Sequence, residues 1–186
     1  MIVPLAGMAM LLAACAATPV SEPASTRTEP AGATCTTSHL HLTVDRIIPG
    51  LAQQPGAFFR LTNVSSATCT LDGYPTLQPI APSGQIIGAA VREGGSFQIA
   101  DPGPHRVVLT PGRSAYFGYG WGDVAQPEGT TAGCADSVKV KSVPPGNRLS
   151  LEATAQLPSV CPGGYPSVTA VALEPAFATA DSPAKP

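Results

Sequence analysis

Few residues in this chain could do chemistry: it has three histidines and twelve carboxylates among 186 residues. His39 and His41 stand two positions apart, so a β-strand would place both imidazoles on one face. There they could chelate a transition metal, with His105 as a third ligand. All three methionines lie within residues 1–10, so the rest of the chain offers no thioether ligand. We therefore predict a solvated polar strand face here, with no bound metal and no other cofactor.

Catalytic motifs are equally sparse. Residues 101–105 read Asp-Pro-Gly-Pro-His, which brings a carboxylate near an imidazole in sequence, but two prolines and a glycine favour a rigid turn. The chain has no Gly-x-Ser-x-Gly motif, no His-Glu-x-x-His motif and no Gly-rich phosphate loop. We predict a protein that is not an enzyme. The alternative is an envelope hydrolase or a transition-metal-binding protein that uses His39, His41 and His105.

Short β-strands are the elements that would position these residues. With 19 glycines and 21 prolines the chain is divided into short segments, and apolar residues alternate with polar ones. Leu40, Leu42 and Val44 share one face in this way. The predicted strands cover residues 39–44, 58–63, 69–71, 76–80, 85–89, 106–109, 114–121, 137–143, 148–153 and 167–173, separated by turns such as Glu93-Gly94-Gly95 and Pro111-Gly112. The pattern predicts an all-β fold, an antiparallel β-sandwich of immunoglobulin-like architecture.

Five cysteines leave an odd thiol if the others pair. If Cys15 is modified separately, an even set of four remains: Cys35, Cys69, Cys134 and Cys161. The sequence has no Cys-x-x-Cys pair, which is the usual spacing of zinc ligands, so a zinc site is not expected. Two disulfides in an oxidising compartment are the better interpretation. Four cysteines allow three pairings; we favour Cys35 with Cys69 and Cys134 with Cys161, because each closes a local loop.

The segment ahead of Cys15 is apolar and uncharged, and it ends in Leu12-Ala13-Ala14-Cys15. It resembles a bacterial lipoprotein signal peptide with its lipobox, in which small residues precede an acylated cysteine. The resemblance implies cleavage of residues 1–14 and a diacylglycerol on Cys15, together with palmitate. The protein would then be anchored by lipid on the extracytoplasmic face of the cell membrane.

Composition divides the remaining chain. Residues 15–34 carry mainly Ala, Thr, Pro, Ser and Glu, which cannot pack a core, so they are predicted to form a disordered tether behind the lipidated cysteine. Residues 35–174 have the length of one β-sandwich domain. Residues 175–186 are predicted to be a flexible tail, although Phe177 could dock on the domain.

The strand predicted over residues 114–121 has two unlike faces. Ala115, Phe117, Tyr119 and Trp121 share one face, which is most simply core. The opposite face carries three glycines, so another backbone, a loop or a flat ligand could approach it closely. If the aromatic row faced water instead, its rings beside these glycines would suit a sugar or a peptide. The candidate binding surface comprises Tyr116, Gly118, Gly120 and Trp121.

Three stretches together resemble a known family, the domain of unknown function 4232 of secreted proteins and lipoproteins from actinobacteria. Residues 59–75 match its strand, Asn-x-Ser turn, Cys-x-Leu and Gly-Tyr-Pro pattern, and residues 109–121 match its Leu-x-Pro-Gly-x-Ser-Ala strand. The third element is the pair Cys134 and Cys161. The resemblance implies a disulfide-bonded β-sandwich in the cell envelope and no assigned activity.

Charge limits the partners. Ten basic and twelve acidic residues give a net charge of −2 with no basic run, which argues against a nucleic-acid binder. The sequence thus predicts a lipid-anchored cell-envelope protein whose domain binds an envelope protein, a peptide or a glycan, or has a structural role.

Overall fold

A computed structural model of the chain describes residues 32–51, 53–88, 91–123, 133–161 and 164–179. These residues form strands and one short 3₁₀ turn at Thr37–His39, which confirms the predicted all-β class. The strands within the described ranges are β1 (Leu40–Leu51), β2 (Gln54–Asn63), β3 (Cys69–Asp72), β4 (Gln78–Ile80), β5 (Arg92–Glu93), β6 (Arg106–Leu109), β7 (Ser114–Gly120), β8 (Ala135–Ser142), β9 (Leu151–Val160) and β10 (Ser167–Val168).

The strands belong to three sheets. The largest has the order β1-β2-β7-β10-β5, the second has the order β4-β8-β9, and β3 pairs with β6. All pairs of strands are antiparallel except β10 with β5, which is parallel. The arrangement is sandwich-like, and an immunoglobulin-like strand order stays a prediction. In the described part of the chain, no helix is long and apolar enough to cross a membrane.

The core lies where the predicted alternation places it. Leu40 and Leu42 of β1 are buried, and Val44 is partly buried against the same core cluster, so the predicted inward face is confirmed. Phe59 and Phe117, on neighbouring strands, stack with ring centroids 5.4 Å apart. Burying a large apolar side chain stabilises a fold by about 1.5–3 kcal/mol. The remaining fully buried large side chains of this cluster include Leu61, Leu71, Leu77, Leu109, Leu157, Val107 and Val140.

The turn predicted at Pro111-Gly112 is present. The amide of Arg113 donates to the carbonyl oxygen of Thr110 at 3.0 Å, and Gly112 has φ +76°. A positive φ at the third position of a hydrogen-bonded turn is the type II pattern, which favours glycine. This turn delivers the chain directly into β7.

Several predicted strand boundaries were wrong. The strands predicted over 39–44 and 58–63 are longer, as β1 and β2, and the strand predicted over 167–173 is only β10. Of the strand predicted over 85–89, the described residues 85–88 contribute a single bridge, from Ile86 to Ile80. The strand predicted over 148–153 begins at Leu151 and continues to Val160. Pro158 does not end it, since β9 forms the edge of its sheet and a proline is tolerated in an edge strand. The turn predicted at Glu93 is instead β5, whose residues pair with β10.

Both ends of the predicted domain extend further than the composition indicated. Ahead of Cys35, Thr34 forms a parallel bridge with Thr70, so the end of the predicted tether is ordered against β3. After Glu174, Phe177 forms an antiparallel bridge with Ile99. The predicted tail therefore begins as part of the sandwich, held by backbone hydrogen bonds to the loop before β6.

Candidate functional site

The two disulfides are those that the local-loop argument favoured. Cys35 is bonded to Cys69, and Cys134 to Cys161. The first ties the entry of the chain to β3, and the second ties the start of β8 to the end of β9. Cys15, the predicted lipidation site, lies outside the described residues. These bonds account for every cysteine of the domain.

The three histidines do not assemble a metal site in the described structure. His39 belongs to the 3₁₀ turn, whereas His41 lies on β1 opposite Thr62, and both are exposed. His105 is also exposed, with Nδ1 2.8 Å from the carbonyl oxygen of Gly103. No group of three or more His, Cys, Asp or Glu that could hold a metal occurs among the residues described.

Asp101 contacts Tyr74 rather than His105. The Tyr74 hydroxyl donates to Asp101 Oδ2 at 2.7 Å, while the amides of Gly103 and Ala170 donate to Oδ1 at 3.2 and 3.0 Å. The bond to the carboxylate, aided by partial burial, raises the pKa of Tyr74 to about 12. Asp101 thus joins three separate segments, and this arrangement is a structural tie rather than a catalytic pair.

The aromatic row of β7 is core, as predicted. Tyr119 and Trp121 stack at 5.6 Å, and the Trp121 indole donates to the carbonyl oxygen of Pro158 at 3.1 Å. Burial raises the pKa of the Tyr119 phenol well above its usual value. Trp121 is only 2% exposed, so it does not belong to an external binding surface.

The glycine face of β7 is covered by the protein's own loop. A Cβ added to Gly118 would overlap Ile99, and one added to Gly120 would overlap Ser96. Phe177 adds an edge-to-face contact with Phe58, at 4.9 Å between ring centroids. The predicted close approach therefore occurs, but a loop rather than a ligand makes it. Of the four residues proposed as a binding surface, only Tyr116 keeps partly exposed side-chain atoms.

Asn63 is a structural residue whose importance the sequence did not reveal. It is fully buried, and its amide donates to the carbonyl oxygens of Ala67 and Leu109 at 2.8 and 2.9 Å. Its Oδ1 accepts from the amide and hydroxyl of Ser65 at 3.0 and 2.8 Å. The Asn-x-Ser sequence is the visible signal, since asparagine often bonds to the backbone two residues on.

A polar face remains on the outer side of the largest sheet. It comprises two rows across three paired strands, His41-Thr62-Ser114 and Thr43-Arg60-Tyr116. His41 is exposed and the other five are half-buried. The hydroxyls of Thr62 and Ser114 lie 2.8 Å apart, and Arg60 Nε donates to Thr43 Oγ1 at 3.3 Å. These bonds orient four of the six side chains. We call the whole set of six the polar face.

Arg46 and Arg60, on the neighbouring strands β1 and β2, differ in their partners. Arg46 pairs with Asp45 at 3.0 Å, and its guanidinium lies over the ring of Phe177 at 5.6 Å. Arg60 forms no ion pair with any described residue, and its bond to Thr43 uses only Nε. Because a guanidinium has five N–H donors, the terminal nitrogens of Arg60 keep four without a described protein acceptor.

A family model described as domain of unknown function (DUF4232) matches residues 35–172. The chain belongs to this family. No curated protein and no solved structure matches the chain. The matched region contains both disulfides and the polar face.

The pattern that suggested DUF4232 consists largely of residues that hold the domain together. In the Gly-Tyr-Pro element, Gly73 has φ +97° and accepts a hydrogen bond from the Val171 amide at 3.1 Å, while Tyr74 bonds to Asp101. In the Cys-x-Leu element, Cys69 is in a disulfide and Leu71 is buried. The DUF4232 pattern therefore consists mainly of residues that stabilise the fold. Residues that determine the function of the domain are to be sought on its outer surface.

Proposed function

We propose that the chain is a lipid-anchored cell-envelope protein whose DUF4232 domain acts as a non-enzymatic binding module. The observation that carries the proposal is the pairing of all four domain cysteines. Of the five cysteines in the sequence, Cys15 alone lies outside these two bonds, and it stands in the sequence Leu12-Ala13-Ala14-Cys15. A consumed thiol at that position explains why an exported chain carries an odd number of cysteines.

Two disulfides also support an extracytoplasmic location. Such bonds persist in oxidising compartments and are rare in the reducing cytosol. Each bridge would stabilise the domain by about 3–4 kcal/mol through its effect on the unfolded chain. The same compartment is the destination of a lipoprotein signal, so the N-terminal sequence and the domain support one another.

The binding role rests on the outer surface of the domain. The described residues bring together no nucleophile, base and orienting group, since Asp101 is engaged by Tyr74 and His105 by its own loop. The polar face, in contrast, presents hydrogen-bonding side chains that the core does not use. A domain with such a face is suited to holding a ligand without transforming it.

Lipidation is tested by replacing the thiol. The full chain and Cys15→Ser are expressed with their signal in a bacterium that processes lipoproteins, with Thr26→Ser as a matched control beyond the lipobox. We expect the parent and the control to partition with membranes, and mass spectrometry to find a diacylglycerol on Cys15. Two acyl chains are enough for stable membrane attachment.

The Cys15→Ser chain should lack the lipid and its membrane partition should fall sharply. An unmodified Cys15 in the mature parent protein would overturn the anchoring proposal. So would equal membrane partition of a cleaved parent and a cleaved Cys15→Ser chain, since cleavage rules out retention by an unprocessed signal.

A further inference from the structure

We propose that the polar face binds an acidic glycan, with Arg60 contacting a carboxylate of the sugar. This inference rests on the proposed binding role but not on lipid anchoring. It uses the six side chains that β1, β2 and β7 present on the outer side of the largest sheet. None of the six is a carboxylate, and Arg60 is the one fixed positive charge among them.

The state of Arg60 indicates an anionic ligand. The residue is half-buried in the middle strand of the array, with Thr43 on one side and Tyr116 on the other. Its Nε is already oriented by Thr43, so the planar guanidinium is held before any ligand arrives. The terminal N–H groups match the two oxygens of a carboxylate, which an arginine can bind through two parallel hydrogen bonds.

The neighbours of Arg60 indicate a hydroxylated ligand. Four of the six side chains carry a hydroxyl: Thr43, Thr62, Ser114 and Tyr116. A hydroxyl donates one hydrogen bond and accepts two, so the mutual bond between Thr62 and Ser114 leaves capacity on both oxygens. The Tyr116 hydroxyl has no hydrogen-bond partner among the described residues. Sugar hydroxyls, which also donate and accept, are the natural complement.

Shape points the same way. Neighbouring strands lie about 4.8 Å apart and alternate residues of a strand about 6.8 Å apart, so two rows of three form a flat patch roughly 10 Å by 7 Å. The side chains stand on paired strands instead of loops, which holds them with little freedom. A flat, ordered patch of this size suits the face of a short sugar segment.

A membrane surface fits the polar face less well. Lipid headgroups are recognised by clusters of four to eight basic residues or by inserted apolar side chains. The polar face has one fixed cation, and its neighbour Arg46 is neutralised by Asp45. Anionic lipid is therefore retained as an outcome of the test.

The experiment uses the full chain purified in a non-ionic detergent and titrated calorimetrically with a short oligogalacturonate. The neutral galactose oligomer is the matched ligand, because it lacks only the carboxylates. We expect saturable binding of the acidic oligomer alone. Arg60→Gln should weaken that binding roughly tenfold or more, as expected for losing hydrogen bonds to a charged group. Arg60→Lys should restore only part of it, since an ammonium lacks the planar fork.

Arg148→Gln is the matched control, since Arg148 is exposed in the β8–β9 connection and should leave affinity unchanged. Circular dichroism confirms that each variant is folded. The Cys15→Ser chain is titrated in parallel and should bind equally, so failure of anchoring and failure of ligand binding are distinguishable. No saturable binding, equal binding of the neutral oligomer, or full affinity in Arg60→Gln would each overturn the proposal. Binding of the Cys15→Ser chain, which carries no lipid anchor, to phosphatidylglycerol vesicles without binding to oligogalacturonate would indicate a lipid surface in place of the glycan and would also refute the proposal.

Discussion

Replacing Asn63 tests whether one buried amide holds the end of the largest sheet. The side chain makes four hydrogen bonds, two donated to Ala67 and Leu109 and two accepted from Ser65. Asn63→Ala removes all four. The bond to Leu109 is buried, and a buried carbonyl left without its donor costs about 1–3 kcal/mol. The other three are partly exposed and add less, so we expect a loss of about 2–5 kcal/mol.

That loss is a large share of a typical domain stability of about 5–15 kcal/mol. The chain's one tryptophan, Trp121, is buried in the core and reports unfolding by its fluorescence. Urea titration should lower the midpoint in Asn63→Ala without changing the slope, as for a mutation that alters stability alone. The thermal midpoint should fall by about 5–15 °C.

Asn63→Asp separates the donated bonds from the accepted ones. It keeps the size of the side chain and the oxygen that faces Ser65, but turns an oxygen toward the carbonyl oxygens of Ala67 and Leu109. We expect it to destabilise at neutral pH at least as much as Asn63→Ala. The control Val64→Ser, at an exposed position between the partners, should change stability by less than about 0.5 kcal/mol. An Asn63→Asp protein as stable as the parent would refute this account of the donated bonds.

Two further predictions concern the loop between β5 and β6. Tyr74→Phe should cost about 1 kcal/mol at neutral pH, since its bond to Asp101 is partly exposed to solvent. Because folding raises the pKa of Tyr74 from 10.0 to about 12, the hydroxyl contributes its full stabilisation below pH 10 and loses it as the pH rises through about 12. The urea midpoints of parent and variant should therefore converge across that pH range. A constant difference between them would contradict the assignment. Gly118→Ala should destabilise the domain by about 1–3 kcal/mol, because the added methyl group overlaps Ile99. Adding Ile99→Ala to the same chain should remove most of that penalty. Additive losses in this double-mutant cycle would show that the overlap is not the cause.

Sequence patterns predicted the parts of this domain that depend on local chemistry. Alternation identified the buried side chains of β1 and β7, and the Pro111-Gly112 pair identified a turn that Gly112 completes with a positive φ. Loop closure favoured the correct cysteine pairs. Each of these follows from a period of two, from backbone geometry or from the short separation of two residues along the chain.

Contacts between distant segments could not be predicted in the same way. The pairing of β5 with β10 involves two residues on each strand. It depends on the tertiary path that brings residues 167–168 beside residues 92–93, and not on the strand propensity of Arg92 and Glu93. Likewise, the two glycines on one face of β7 showed that another group could approach, but only the folded chain shows that Ile99 does so at Gly118. Polar face residues on separate strands also become neighbours only through the β1-β2-β7 register.

The division between these two kinds of residue bears on what membership of DUF4232 means. Asn63, Tyr74 and Cys69 point inward or tie segments together, so changing them alters stability. Arg60 and Tyr116 point outward from the same sheet, where substitutions commonly cost little stability. Most residues of the family pattern are thus separate from those available to select a ligand, and Ser114 of the Leu-x-Pro-Gly-x-Ser-Ala element belongs to both sets. A family match therefore predicts the sandwich and its disulfides, whereas the ligand depends on which side chains occupy the outer rows of β1, β2 and β7.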